Sequence, residues 1–172
     1  TMITDPPPEA SSAMPHSTTD LSDAHPEAQV CAPVLTVHLG ARRSFSGPIT
    51  TLKVFEDNSL VREIVQAPGQ GRVLVVDGGG SLRCGLFGGN LAVAAARNGW
   101  SGVVINGCAR DADEIDAEDI GLRALALHPR RSERGLHSGQ AGLPVLFAGV
   151  VFREGEWLLA DRDGVLVLPA AP

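Results

Sequence analysis

Apolar and polar residues alternate along the chain in short blocks, and these blocks predict its strands and helices. PVLTVHLG (33–40) and ITTLKVFED (49–57) alternate with the two-residue period of half-buried strands. NSLVREIVQA (58–67) instead carries apolar residues at helical spacing, with Asp57 or Asn58 placed to cap the helix and GQG placed to close it. This part of the chain therefore predicts two strands followed by a helix.

The middle of the chain predicts a strand, a glycine-rich loop, a helix and a second strand. RVLVVDGGGS (72–81) is a continuous apolar run that ends in glycines, and GVVING (102–107) is another buried run. NLAVAAARNGW (90–100) between them predicts an alanine-rich helix stopped by Asn98 and Gly99. Such a unit is typical of parallel strands joined by a crossover helix.

The remaining segments are shorter and predict mainly antiparallel strands. They are ADEIDAEDIG (112–121) as a helix or turn, RALALH (123–128) as a strand, a glycine-rich loop through Gly142, and the strands PVLFAGVVF (144–152), WLLAD (157–161) and GVLVLP (164–169). The pattern as a whole predicts an α/β core with much antiparallel sheet around it.

The N-terminal segment has a different composition. Prolines lie among serine, threonine and aspartate with little apolar periodicity, so most of the first thirty residues are expected to be mobile. The opening TMITD resembles the leader of a β-galactosidase expression fusion, and residues 1–17 are therefore set apart from the fold. Residues 18–172 are expected to form the single folded domain.

Length, charge and cysteine content narrow the possible functions. A chain of 172 residues with 44 % hydrophobic side chains suits one domain. Fourteen basic and 20 acidic residues give a net charge of −6, which disfavours direct binding to nucleic acid. No apolar run is long enough to span a membrane, no secretory signal is evident, and Cys31, Cys84 and Cys108 have no metal-site spacing. These features predict a cytoplasmic protein with reduced thiols.

The glycine-rich loop after the third predicted strand invites a nucleotide-binding interpretation, but its spacing opposes one. A dinucleotide fingerprint that starts at Gly78 requires glycine at position 83, where Arg83 stands. The next strand ends in Asn106 instead of the carboxylate that would hold a ribose, and no Gly-Lys-Ser/Thr sequence is present. A nucleotide or S-adenosylmethionine role is therefore disfavoured.

A second loop offers better chemistry. Gly88, Gly89 and Asn90 precede the predicted alanine-rich helix, whose first amides favour an anion. Arg110 and Asp111 follow the neighbouring parallel strand, so they are expected at the same sheet edge. There Arg110 could meet an anionic oxygen and Asp111 could hold a divalent cation. The alternative is a surface turn in which Asp111 caps the next helix and Arg110 lies in solvent.

Five segments of the chain resemble the RraA-like family, named for the regulator of ribonuclease activity A. They are FEDNSLVREIV, VLVVDGGGSLRCGLFGGNLA, NGWSGVVINGCARD, IGLRALALHPRRS and FAGVVFREGEWLLADRDGVLVLP, which with TTDLSD cover most of residues 18–169 in order. The resemblance implies a swivelling β/β/α fold like that of phosphohistidine domains, assembled as a homotrimer or a dimer of trimers. It also implies two activities, aldol cleavage and oxaloacetate decarboxylation, since the family includes class II 4-hydroxy-4-methyl-2-oxoglutarate aldolases that also decarboxylate oxaloacetate.

The family pattern carries over residue by residue. Arg110 matches the arginine that supports a pyruvate enolate, and Asp111 matches the ligand of a divalent cation such as Mg²⁺ or Mn²⁺. The loop that receives the substrate carboxylate corresponds to Gly88, Gly89, Asn90 and Leu91. In the aldolases an aspartate is followed by twenty residues and then by the Arg-Asp pair, and here Gly89 occupies the position of that aspartate. This departure predicts weakened catalysis.

The residues leave alternatives open. A Schiff-base route would need a lysine, and Lys53 is the only one in the chain, but the strand-like pattern around it predicts a solvated side chain. The resemblance also implies a non-catalytic regulator that binds an RNase E-type endoribonuclease, and the acidic balance suits such a partner. Structural roles are predicted for the other polar candidates. His38 and His128 are expected as partnered histidines in strands, His137 in a loop, Cys84 and Cys108 as packing residues, and Asp161 and Asp163 as turn formers.

Overall fold

The computed structural model describes residues 16–172, which form one α/β domain. Four helices and twelve strands follow one another in this part of the chain. In chain order they are α1 (Thr18–Ala24), β1 (Gln29–Val30), β2 (Val37–Leu39), β3 (Phe45–Lys53), α2 (Ser59–Gln66), β4 (Val73–Asp77), β5 (Gly85–Phe87), α3 (Gly89–Arg97), β6 (Gly102–Ala109), α4 (Ala112–Asp116), β7 (Gly121–Leu127), β8 (Gln140–Ala141), β9 (Val145–Phe147), β10 (Val150–Phe152), β11 (Trp157–Ala160) and β12 (Val165–Leu168).

The main sheet has four parallel strands at its centre and antiparallel strands on either side. Its order is β1-β12-β11-β3-β4-β6-β7-β2, with β3, β4, β6 and β7 mutually parallel. The short strand β5 pairs with the end of β6, and β8 pairs with the end of β3. Strands β9 and β10 form a separate hairpin. The parallel centre directs the carboxyl ends of four strands towards one edge.

The central strands are apolar throughout because both of their faces are covered. In β4, Leu74 and Val76 pack into the core that also contains buried residues of α2 and α3. Val73 and Val75 of the same strand pack on the other face with Phe147 and Phe152 of the hairpin. Burial on both faces explains why the sequence shows a continuous apolar run instead of alternation.

The main elements predicted from the pattern are confirmed, with shifts at their boundaries. The helix predicted over 58–67 is α2, but it ends at Gln66, before the GQG sequence. Asn58 occupies its N-cap position without a side-chain capping bond, whereas the Asp57 carboxylate accepts from the amide of Ser59. The alanine-rich helix ends as predicted, with Asn98 as the C-cap residue and Gly99 at a φ of 83°.

The expectation of mobility over most of the first thirty residues is partly wrong. Residues 18–24 form α1, and the side-chain oxygen of Ser17 caps this helix by accepting from the amide of Asp20. The helix is docked to the sheet because both the amide and the hydroxyl of Thr18 donate to the Asp161 carboxylate, each at 2.7 Å. Residues 1–15 of the predicted leader lie outside the described part of the chain.

None of the helices within residues 16–172 is long and apolar enough to cross a membrane.

Two glycines of the central strands give room to an aromatic ring. Gly102 on β6 pairs with Gly121 on β7, and the Phe45 ring lies against both. A methyl group at Gly121 would overlap this ring and approach the carbonyl oxygen of Arg42. Close packing in this layer therefore depends on the absence of a side chain at both positions.

We predict that Gly121→Ala lowers the free energy of unfolding by about 1–3 kcal/mol through overpacking. Gly164→Ala is the matched control, because a methyl group there meets nothing within 4 Å. Urea unfolding of both variants measures the difference. Equal stability of the two variants would show that the Phe45 layer tolerates an added methyl group.

Candidate functional site

Strands β5 and β6 end side by side and bring two loops together. The amide of Arg110, which follows β6, donates to the carbonyl oxygen of Phe87 at the end of β5, at 2.9 Å. Gly88 comes next in the chain and caps α3, whose first intrahelical bond runs from the amide of Ala92 to the Gly88 carbonyl. The Arg-Asp pair and the glycine loop therefore lie at one sheet edge, as the parallel arrangement predicts.

Asp111 connects the two loops through its side chain. Its Oδ2 accepts a hydrogen bond of 2.9 Å from the amide of Gly89. Its backbone is left-handed, with φ 59° and ψ 49°, and although it stands at the N-cap of α4, its side chain makes no capping bond there. Asp111 therefore stands at the exposed N-cap position that the alternative interpretation gives it, but its side chain does not cap α4, because the carboxylate points to the glycine loop instead.

Arg110 is held against the same loop. Its Cβ and Cγ lie so close to Gly85 that a methyl group there would come within 2.9 Å of both atoms. The side chain is 31 % exposed, and its Nε is 3.8 Å from Oδ1 of Asp111. That Nε is buried and has no hydrogen-bond partner among the described residues. An unpaired guanidinium N–H inside a pocket is available to donate a hydrogen bond to a ligand.

The two loops border a pocket of about 160 Å³ whose lining is strongly basic. It contains four arginines and one aspartate among its twelve lining residues, which are Asn58, Arg62, Gly85, Gly88, Gly89, Asn90, Leu91, Arg110, Asp111, Arg131, Ser132 and Arg134. Every residue predicted for the site is among them. The pocket is positive within a chain whose net charge is −6, so it favours an anionic ligand.

A buried carboxylate holds one wall of this pocket in place. Asp57 is fully buried, and its Oδ2 accepts from the amide of Leu136 at 3.0 Å, while Oδ1 accepts from the amide and the hydroxyl of Ser59. Burial alone would raise the pKa of Asp57, but these hydrogen bonds and one from the amide of Gly135 outweigh it and hold the pKa below its usual value. The segment that carries Arg131 and Arg134 is thereby attached to the start of α2.

The structure adds one site residue that the sequence interpretation missed. The carboxylate of Glu114, on α4, occupies the space that a side chain at Gly89 would need. The position where the family pattern places an aspartate therefore has a carboxylate beside it, supplied by another residue. The spacing Asp111-x-x-Glu114 could have indicated this, because the side chain at the third position of a helix can reach back to the N-cap residue.

Asp111 and Glu114 form the acidic part of the site. In the described residues, no three His, Cys, Asp or Glu side chains converge as a complete metal cage. Mg²⁺ does not need such a cage, because it is commonly bound through one or two carboxylates and keeps several waters. The carboxylates of Asp111 and Glu114 lie beside Gly88 and Gly89 respectively, and this donor set fits a hard divalent cation.

Lys53 is engaged elsewhere at the same sheet edge. Its Nζ is 3.1 Å from Oδ2 of the buried Asp77. Oδ1 of Asp77 accepts from the side-chain amide of Asn106 and from the backbone amide of Gly79. Burial opposes ionisation of Asp77, but these bonds and the lysine hold its pKa below the usual value. Lys53 is 59 % exposed, as predicted, and does not line the basic pocket.

The other polar candidates have structural contacts. His38 contacts the Arg123 guanidinium, His128 accepts from the amide of Arg130, and His137 lies 2.9 Å from Glu63. Cys84 and Cys108 are buried free thiols, and burial raises the pKa of each. Asp161 forms a turn by accepting from the amides of Asp163 and Gly164, while Asp163 supplies one of those amides. These contacts agree with the structural roles predicted for these residues.

Comparison with known proteins identifies the family. Residues 18–167 match the sequence model of the RraA-like family, described as Aldolase/RraA. The chain belongs to the RraA-like family. A Deinococcus radiodurans relative named "putative 4-hydroxy-4-methyl-2-oxoglutarate aldolase" is 58 % identical over 153 residues, which cover 89 % of this chain and 94 % of the relative.

Two solved structures of similar sequence share the fold. One is described as the RNA-processing inhibitor RraA from Thermus thermophilis, with a TM-score of 0.88, 46 % identity and coverage of 92 % of this chain and 96 % of that one. The other is described as an S-adenosylmethionine: 2-dimethylmenaquinone methyltransferase from Geobacillus kaustophilus, with a TM-score of 0.86, 43 % identity and coverage of 91 % and 96 %. The expected fold, a single RraA-like α/β domain of the swivelling β/β/α type, is confirmed.

We predict that Asp57→Asn destabilises the protein by about 1–3 kcal/mol at pH 7. The NH₂ group of asparagine is a donor, so the backbone N–H of Leu136 or of Ser59 would lose its acceptor. The folded-state pKa of Asp57 lies below the unfolded value of about 3.9, so the stabilisation is complete well above that value and is lost as pH falls through the folded pKa.

Urea unfolding between pH 7 and pH 3 tests this prediction, with Asp113→Asn as the exposed control. The gap between wild type and Asp57→Asn should narrow as the solution becomes acidic. A gap that stays constant over this range would contradict the role given to the ionised carboxylate.

Proposed function

We propose that this protein is a divalent-metal-dependent aldolase that cleaves 4-hydroxy-4-methyl-2-oxoglutarate to pyruvate. The same site would decarboxylate oxaloacetate, since both reactions leave a pyruvate enolate. The observation that carries the proposal is the unpaired, buried Nε of Arg110 beside the fixed carboxylate of Asp111 in a basic pocket. The aldolase name carried by relatives such as the Deinococcus protein supports the same reaction class.

The residues of the pocket divide the work of binding a 2-oxo acid. The amides of Asn90 and Leu91 precede the first intrahelical bond of α3, so they are free to donate to the substrate's C1 carboxylate. Arg110 donates to the C2 oxygen, where negative charge accumulates as the enolate forms. Asp111 and Glu114 would hold the cation, whose contribution is to polarise the 2-oxo group.

Bond cleavage requires one proton to leave and another to arrive. The C4 hydroxyl gives up its proton, the C3–C4 bond breaks, and the electron pair moves to the C2 oxygen beside Arg110. C4 and C5, together with the methyl group on C4, leave as the first pyruvate. The enolate then takes a proton at C3 and becomes the second pyruvate. Glu114, beside Gly89, is the carboxylate placed to organise water for these transfers.

We predict that Arg110→Ala lowers kcat for both substrates by roughly 10²–10³-fold, because it removes the partner of the developing oxyanion. Asp111→Ala and EDTA should abolish metal-dependent turnover. Pyruvate release with Mg²⁺ or Mn²⁺ measures these effects, and circular dichroism shows that each variant is folded. No turnover by folded wild-type protein above the metal-only blank would refute the aldolase proposal.

The role of Glu114 has its own test. We predict that Glu114→Ala lowers kcat by roughly 10²-fold, and that adding Gly89→Asp to it restores part of the activity by placing a carboxylate in the vacated space. Gly89→Asp alone should be impaired, because its side chain would collide with Glu114. Asp113→Ala, which removes an exposed carboxylate of the same helix, serves as the control. Activity of Glu114→Ala equal to that of the control would rule out the assignment.

A second candidate function is a regulator that binds an RNase E-type endoribonuclease. It is favoured by the 46 % identity to the Thermus protein described as an RNA-processing inhibitor. The test measures whether the purified protein binds an RNase E-type endoribonuclease and whether it slows RNA cleavage by that enzyme. Inhibition retained by Arg110→Ala would indicate a regulatory surface separate from the pocket.

A further inference from the structure

Three arginines of the basic pocket have no task in the mechanism described above. Arg62 lies on α2, while Arg131 and Arg134 lie on the segment that Asp57 attaches to the start of that helix. Within residues 16–172 none of the three forms a salt bridge. Three unpaired guanidinium groups around one small pocket repel one another unless an anion lies between them.

The charge of the pocket exceeds what a simple 2-oxo acid can balance. The lining has four arginines and the carboxylate of Asp111, and the carboxylate of Glu114 lies beside Gly89. A pyruvyl group supplies one carboxylate and, in the transition state, one oxyanion, and both are already matched by α3 and Arg110. A divalent cation would add positive charge. The charge of the three remaining arginines therefore indicates a ligand with a second carboxylate.

We infer that Arg62, Arg131 and Arg134 bind the distal carboxylate of the substrate and thereby select 2-oxo diacids with a five-carbon main chain over the corresponding monoacids. This inference rests on the proposed aldolase function and assigns its specificity. Arginine suits the role because its planar fork can donate two parallel hydrogen bonds to one carboxylate. The bonds that attach residues 135–137 to Asp57 and Ser59 keep this wall in position before the ligand arrives.

The position of the second carboxylate also determines whether the three arginines favour aldol cleavage or oxaloacetate decarboxylation. In 4-hydroxy-4-methyl-2-oxoglutarate the distal carboxylate lies one carbon beyond the broken bond and remains charged in the departing pyruvate. In oxaloacetate the corresponding carboxylate is itself the leaving group and must lose its charge as carbon dioxide forms. Guanidinium groups that stabilise a carboxylate assist binding in both cases, but they oppose the loss of charge in the second. The pocket is therefore better suited to aldol cleavage.

Matched substrates test this assignment. The wild type, Arg62→Ala, Arg131→Ala, Arg134→Ala and the Arg131→Ala/Arg134→Ala double variant are assayed with 4-hydroxy-4-methyl-2-oxoglutarate and with 4-hydroxy-4-methyl-2-oxopentanoate, which lacks the distal carboxylate. The double variant should raise KM for the diacid roughly 10–100-fold, as expected for lost charge-assisted hydrogen bonds, and change KM for the monoacid less than about twofold. Arg97→Ala, an exposed arginine at the end of α3, is the control.

A binding measurement separates this inference from the proposed function. Calorimetry with Mg²⁺ compares 2-oxoglutarate with 2-oxopentanoate, neither of which can undergo aldol cleavage. Wild type should prefer the diacid, and the double variant should lose that preference, whereas Arg131→Lys should keep part of it. Diacid preference without turnover would refute the aldolase but support the arginine assignment. Equal binding of both acids by the wild type, or equal losses for both in the variants, would overturn the assignment.

Discussion

The hydrogen bond from the amide of Gly89 to the carboxylate of Asp111 joins two loops that are far apart in the sequence. One loop follows β5 and begins α3, and the other follows β6 and begins α4. This bond fixes the left-handed turn at Asp111 and orients its carboxylate towards the helix start. It also places Arg110 beside Gly85 and Gly88, where only glycine leaves room for the side chain. The geometry of the pocket follows from this connection.

The parallel centre of the sheet makes the connection possible, and a second buried carboxylate completes the pocket. Strands β4, β6 and β7 run in the same direction and carry their loops to one edge, where an open α/β sheet binds ligands. Asp57 attaches the segment containing Arg131 and Arg134 across that edge. The pocket therefore has two carboxylates, those of Asp111 and Glu114, among basic side chains. This arrangement suits a cation and an anionic substrate together.

Local patterns predicted much of the fold, because the buried strands and the alanine-rich helix follow simple periods. They also predicted that Arg110 and Asp111 would meet the glycine loop, since that follows from parallel strands alone. The strand β5 was missed because SLRCGLFGG has no clear alternation and its pairing depends on the distant end of β6. The contact of Glu114 with Gly89 and the attachment of residues 135–137 to Asp57 and Ser59 depend on how whole elements pack, which no local pattern records.

The proposed aldolase activity requires that this edge of the sheet stabilise a pyruvate enolate, and enolate formation can be measured without any cleavage reaction. Proton NMR in deuterium oxide follows exchange of the pyruvate methyl protons, which occurs only when the enolate forms. Exchange that requires both the protein and Mg²⁺, and that is lost in Arg110→Ala, is the predicted result. Exchange no faster than with Mg²⁺ alone, from protein shown to be folded, would contradict the account.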